Sequence, residues 1–100
     1  MQHHLLRIVR EAVNNAVRHG AADQIDIRLG SERGRLSIEV VDDGSGFDVA
    51  DRSELIGHFG IRGMRERARR IGADIAIWSS PGTGTTVCVG VPIPDHGARR

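Results

Sequence analysis

Apolar side chains recur at helical spacing near the start of the chain. Leu5, Leu6, Val9, Ala12, Val13, Ala16 and Val17 form one stripe, with Arg7, Glu11, Asn14, Asn15 and Arg18 opposite. This predicts an amphipathic helix from Leu5 to His19, with Gly20 as its C-terminal stop. Two alternating segments follow, Ile25, Ile27, Leu29 and then Leu36, Ile38, Val40, separated by a turn at Ser31-Glu32-Arg33-Gly34. Alternation places one apolar face of each strand on a core. From Asp42 to Gly60 the periodicity disappears and glycines and acidic residues take over, as in long irregular loops kept for function. Helical spacing returns with Ile61, Met64, Ala68 and Ile71, and Gly72 closes that helix. Within it, Glu66 can pair at i±4 with Arg62 and Arg70. Two more strands, Asp74–Ser79 and Thr85–Pro92, are joined by Ser80-Pro81-Gly82-Thr83-Gly84. The order of elements predicts an α+β protein, a two-layer α/β sandwich with both helices on one face of the sheet. We place one domain at residues 1–94 and a flexible tail at residues 95–100.

Composition narrows the picture. One hundred residues make a single small domain. With aromatic residues at 3%, aliphatic side chains must fill the core. The formal net charge of +1 argues against a nucleic-acid partner. All 14 basic side chains are Arg, which limits the cation that can reach a phosphate. Cys88 stands alone, which excludes an internal disulfide and a cysteine-based zinc cage and fits a reducing cytoplasm. No apolar run approaches the ~20 residues that span a bilayer, so no direct membrane contact is expected. The helical pattern begins within a few residues of Met1, which reads as a fragment of a longer protein.

Four segments carry candidate chemistry. Glu11 and Asn15 lie one helical turn apart on one side of the first helix and offer hard oxygen ligands of the kind Mg²⁺ accepts. The same pair also fits an ordinary solvated stripe. Asp42-Asp43-Gly44-Ser45-Gly46-Phe47 ends the second strand. There a carboxylate can accept a hydrogen bond from an exocyclic amine such as that of adenine, while Gly44 and Gly46 let backbone approach a flat ring. A simple acidic turn has the same composition. Gly57-His58-Phe59-Gly60-Ile61-Arg62-Gly63 feeds a helix N-terminus, where free N–H groups and the helix dipole suit phosphate. It contains no Lys and is not a P-loop, and Arg62 is the nearest substitute. Gly82-Thr83-Gly84-Thr85 alone reads as a hairpin turn.

Taken together, in this order and spacing, the four resemble the nucleotide-binding domain shared by histidine kinases, type II topoisomerases, Hsp90 chaperones and MutL repair proteins, the Bergerat ATP-binding fold. Arg10–His19 is similar to that superfamily's N box, Asp42–Phe47 to its G1 box, Gly57–Gly63 to its G2 box, and Gly82–Thr85 to its GxGT segment. The run from His58 to Thr85, with Gly63-Met64-Arg65-Glu66-Arg67 and Ser79–Thr85, is similar to sensor kinases of the nitrate-sensor type. The resemblance implies a mixed sheet whose first edge strand is missing here, with ATP and Mg²⁺ as cofactors. It implies that Asn15 coordinates Mg²⁺, aided by Glu11, as the catalytic pair. The residue at the Glu11 position is the general base in the hydrolytic relatives, whereas in the kinases a histidine attacks. Asp42 then binds the adenine amine, Gly44 and Gly46 shape the pocket, and Thr85 links Asp42 or a bridging water. Residues 48–59 form a lid, and Gly60, Ile61, Arg62 and Gly63 turn toward the phosphates. His19 contacts phosphate or ribose, or serves only as a helix C-terminal histidine favoured by the dipole. The implied partners are a dimerisation helix domain carrying the phosphoacceptor histidine and, through it, a response regulator. His3 and His4 lie too close to the N box to be that histidine, so the fragment is expected to bind ATP without autophosphorylating. An anti-sigma-factor serine kinase and a degenerate module that only binds partners are the alternative readings. The Ser79–Thr85 run favours the histidine kinase over the serine kinase, and the intact Asn15, Asp42 and glycines disfavour a degenerate module.

Overall fold

The computed structural model describes residues 2–47 and 60–92. Its elements are α1 (Gln2–Arg18), β1 (Ile25–Glu32), β2 (Arg35–Asp42), α2 (Ile61–Arg70), β3 (Asp74–Ser79) and β4 (Thr85–Pro92). The four strands form one sheet in the order β1-β2-β4-β3. The two helices pack on each other, α1 reaching β2 and α2 reaching β3. The α+β two-layer architecture is therefore as expected.

The expected mixed sheet is corrected, because every pairing among the described strands is antiparallel. Two antiparallel steps leave β2 and β3 running the same way, with α2 as the crossover between them. The hairpin after β3 then folds β4 into the gap, so the parallel pair is split and each strand meets only antiparallel neighbours. The first turn is also tighter than the sequence suggested. Pairing continues to Glu32 opposite Arg35, and Arg33 and Gly34 at φ 54° and 79° form the two-residue connection. Two positive φ angles match the right-handed strand twist, as in a type I′ hairpin.

The core lies between the helices and the sheet. Leu5, Ile8, Ala12 and Ala16 of α1 are buried, and Ile61, Met64 and Ala68 of α2 pack beside them. Ile38, Val40, Val87, Val89 and Val91 come up from the sheet. The reading of α1 needs adjusting. Ile8 is only 1% exposed, whereas Leu6 and Val17 are 63% and 61% exposed. At about 100° per residue, Ile8, Ala12 and Ala16 cluster around Leu5, while Leu6 and Val17 sit about a quarter-turn or more away. On β1, Ile27 and Leu29 share the helix-facing side with Val40 and Ile38, yet they remain exposed. The helices cover the centre of the sheet and not this outer strand.

On α2, Glu66 pairs with Arg69 at 2.9 Å and Arg70 at 3.4 Å. Arg62, its other expected partner, makes no ion pair among the described residues. The tail at 95–100 and the loop at 48–59 lie outside the described residues. No helix among the described residues is long and apolar enough to cross a membrane.

Truncating Ile8 should expose how much the fold depends on this stripe. Ile8→Ala is expected to cost about 2–5 kcal/mol in urea unfolding, whereas Leu6→Ala should change stability by no more than about 0.5 kcal/mol. Equal losses would contradict the assigned helix face.

Candidate functional site

The side-chain alternation that builds the core also ends it. Val40 and Val87 face the helices, and two residues further along their strands come Asp42 and Thr85 on the same side. Register pairs Asp42 with Thr85, and Thr85 with Ser79. Three polar, half-buried side chains thus form a row across β2, β4 and β3 at one end of the core.

The segment after Asp42 is tied down on two sides. The Asp42 carboxylate accepts a hydrogen bond from the Gly44 N–H through Oδ1 at 2.8 Å, and Oδ2 has no partner among the described residues. The next carboxylate, Asp43, accepts the N–H groups of Asp23 and Gln24 at 2.9 and 3.0 Å. The Ser45 N–H donates to the Gly20 carbonyl at 2.9 Å, and its hydroxyl to the His19 carbonyl at 3.3 Å. On the other side the Phe47 N–H donates to Ser79 Oγ at 2.8 Å, while the Phe47 ring is buried in the core. Thr85, expected to link Asp42 or a bridging water, makes no direct hydrogen bond to Asp42. Thr85 Oγ1 instead lies 2.8 Å from Ser79 Oγ.

Close backbone packing explains the glycines here. A Cβ on Gly46, at φ 67°, would strike the Ser80 carbonyl, and one on Gly84, at φ 80°, would strike that of Asp42. Gly44 lies against Gly20, whose carbonyl oxygen would be 2.6 Å from an added Cβ. The smallness of Gly44 and Gly46, first attributed to a flat ring, is already demanded by protein against protein. The helix stop is also reassigned: Ala21, at φ 49°, takes the left-handed conformation, and Gly20 keeps its own φ negative while admitting Gly44.

Helix α2 starts against the middle of α1. Its N-cap is Gly60, in the left-handed region with no side-chain cap, and a Cβ there would lie 2.6 Å from a Glu11 carboxylate oxygen. The backbone N–H groups of the first turn of α2 therefore open beside Glu11. The Ile61 side chain is buried in the core, so only its backbone can serve a ligand. Arg62 is exposed, and Gly63 has nothing within 4 Å of an added Cβ. Asn15 is half-buried, and its carbonyl accepts the N–H groups of His19 and Gly20 at 2.9 Å each. His19 is exposed beyond it. Gly57, His58 and Phe59, with the rest of the proposed lid, lie outside the described residues.

Ser79, Asp43, Ser45 and Gly20 were missed in the sequence. Only the tandem acids at 42 and 43 and the Ser79–Thr85 spacing hinted at two of them. Two groups away from this end have shifted titrations. His4 is held below its ordinary pKa by burial, with His3, Arg67 and Arg70 adding to the effect. The Cys88 thiol is pushed up by burial and by Glu39.

A family model described as "Histidine kinase-, DNA gyrase B-, and HSP90-like ATPase" matches residues 1–95. The sensor protein VraS of Staphylococcus saprophyticus is 38% identical over 93% of this chain and 26% of its own length. The signal transduction histidine-protein kinase/phosphatase DegS of Brevibacillus brevis is 32% identical over 89% of this chain and 22% of its own. This chain thus spans about a quarter of these curated relatives. The crystal structure of the ATP-binding domain of PrrB from Mycobacterium tuberculosis superimposes with a TM-score of 0.77 at 26% identity, covering 94% of this chain and 70% of that one. The histidine kinase domain of the Erythrobacter litoralis EL346 blue-light activated histidine kinase gives 0.71 at 27% identity, covering 91% and 47%.

Two glycines separate packing demand from ligand demand. Gly84→Ala should destabilise by more than about 1 kcal/mol, since it meets both a forbidden φ and a carbonyl. Gly63→Ala should be neutral or stabilise by up to about 1 kcal/mol, because it adds helix propensity in open space. Thermal unfolding of both variants reads the difference, and a destabilised Gly63→Ala would mean unseen packing at that position.

Proposed function

The chain belongs to the family of histidine kinase-, DNA gyrase B- and HSP90-like ATPases, and from that premise we propose that it binds ATP to phosphorylate a histidine. The acceptor lies on a separate dimerisation helix domain, from which the phosphoryl group passes to a response regulator. The proposal sets this activity in the cytoplasm. Similarity to the ATPase domains of sensor histidine kinases supports this reading, as does the nitrate-sensor-like run from Gly63 to Thr85. Two observations support it: Asp42 pairs with Thr85 where β2 and β4 run out of core residues, and the uncapped start of α2 lies against Glu11.

Each group has a part that suits its chemistry. Asp42 Oδ2 accepts from the adenine amine, while Oδ1 is already held by the Gly44 N–H. The first-turn N–H groups of α2, with Arg62 beside them, receive the phosphates. A polyphosphate at that helix end would face the Glu11 carboxylate, and a bound divalent cation would offset the repulsion. Glu11 and Asn15, one turn apart on α1, offer it oxygen ligands. Among the described residues no three His, Cys, Asp or Glu side chains gather into a cage, so phosphate oxygens and waters complete the shell, as Mg²⁺ prefers. Bound Mg²⁺ supplies charge neutralisation on the phosphates. The protein's own contribution to transfer is alignment of the γ-phosphoryl group for in-line attack.

Calorimetric titration with a non-hydrolysable ATP analogue tests the proposal. Wild-type binding should be strengthened about tenfold or more by Mg²⁺, and Asp42→Asn should abolish it. Asn15→Ala should remove most of the Mg²⁺ dependence. A folded wild-type chain that binds no nucleotide would make it a partner-binding module instead.

A further inference from the structure

Ser79 is the most heavily used hydroxyl in the described part of the molecule. It sits at the end of β3 with three polar neighbours: the Phe47 N–H at 2.8 Å, the Gly84 carbonyl at 3.0 Å and the Thr85 hydroxyl at 2.8 Å. A hydroxyl has one proton and two lone pairs, so not every assignment of donors is possible. The Phe47 N–H can only donate, and it takes one lone pair of Ser79. The Gly84 carbonyl can only accept, so it takes the single Ser79 proton. What remains is the second lone pair of Ser79, which must receive the proton of Thr85. The reverse arrangement, with Ser79 donating to Thr85, deprives the carbonyl of Gly84, a buried residue, of that partner.

We infer that Ser79 is a positioning residue that fixes the Thr85 hydroxyl as a pure hydrogen-bond acceptor toward the nucleotide base. With its proton committed sideways, Thr85 offers only lone pairs toward Asp42, its neighbour across β2 and β4. Two acceptors then stand side by side, Asp42 Oδ2 and Thr85 Oγ1. Thr85 cannot donate to the carboxylate and does not neutralise it. Such a pair suits a purine edge that carries a donor, directly or through a water that donates to Thr85. A purine without the 6-amino group gives this pair much less. Ser79 thus acts on base selection without touching the base, and its bond to the Phe47 N–H ties the same hydroxyl to the loop that follows Asp42. This inference rests on the adenine-site reading above.

The test compares two probes, a non-hydrolysable ATP analogue and the corresponding purine riboside triphosphate analogue, which has hydrogen at C6. In the full chain, Ser79→Ala should weaken the ATP analogue about tenfold and the deaminated one much less, so that discrimination falls. Thr85→Val should lower discrimination similarly, and adding Ser79→Ala to it should lower it no further. Ser79→Thr, which keeps the hydroxyl, should restore it. Far-UV circular dichroism and urea midpoints report folding. Should Ser79→Ala fail to fold, Ser79→Cys keeps the volume with a poor acceptor and should show the same loss of discrimination. Equal weakening of both probes by Ser79→Ala would reduce Ser79 to a loop tether and overturn the inference. Wild-type binding unaffected by Asp42→Asn would instead overturn the adenine-site reading, and this inference with it.

Discussion

Everything at the site depends on the pairing of β4 between β2 and β3. That register places Asp42, Thr85 and Ser79 in one row, on the side that carries Val40, Val87 and Ile77 two residues away along each strand. A slip of one residue in β4 would turn its valines to solvent and Thr85 away from Asp42 together. The hydrophobic core therefore specifies the polar site. Burial of Val87, Val89 and Val91 at 3% exposure or less is what makes such a slip costly, because each valine is worth roughly 1.5–3 kcal/mol in burial. The polar row needs no separate device to hold its geometry.

Where apolar burial stops, hydrogen bonding takes over. Residues 43–47 have no regular secondary structure, yet they are stapled to the segment after α1 through Gly20 and Asp43 and to β3 through Ser79. The glycines follow from this double attachment. Gly20 against Gly44, and Gly46 and Gly84 against neighbouring carbonyls, allow three backbone segments to share a space that side chains would otherwise fill. Phe47 then anchors the far end of the segment in the core. The loop is thus held at both ends, and Asp42 just before it keeps one carboxylate oxygen without a partner among the described residues.

Much of this was legible in the sequence, and the misses have physical causes. Both helices, all four strands and the glycine stop at 72 could be read because periodicity and turn residues agree there. The limits of β3 and β4 matched, since Pro81 and two glycines leave little freedom at that hairpin. The α1 face was misjudged at Leu6, Val17 and Ile8, since apolar identity was counted without the angle each residue makes with the core. The outward Ile27 and Leu29 escaped notice because alternation says which residues share a face and not whether anything covers it. The antiparallel sheet depends on where β4 inserts, a long-range choice that no local pattern records. Asp42, Thr85, Glu11 and Gly60 could be named individually, but the pairing of Asp42 with Thr85 is a product of that insertion and the contact of Glu11 with Gly60 a product of helix packing. Ser79 has no signal of its own, for its significance lies in three neighbours drawn from one strand and two loops.

Such a site is a property of the whole fold and of no segment. Glu11 meets Gly60 across the helix pair, and Asp42 meets Thr85 across β2 and β4, so closing it requires contacts between distant parts of the chain. Those contacts cost loop-closure entropy before they return any energy, and helices alone can form without them. A partly unfolded chain that keeps α1 and α2 but loses β4 would retain helical content and have no site. A ligand spanning Asp42 and the start of α2 can therefore bind only the complete fold. Its binding energy must appear as added stability of the whole, by mass action on the folded population. On the proposed reading, that link between occupancy and folding weighs most in a domain of this size, which has little aromatic surface to bury.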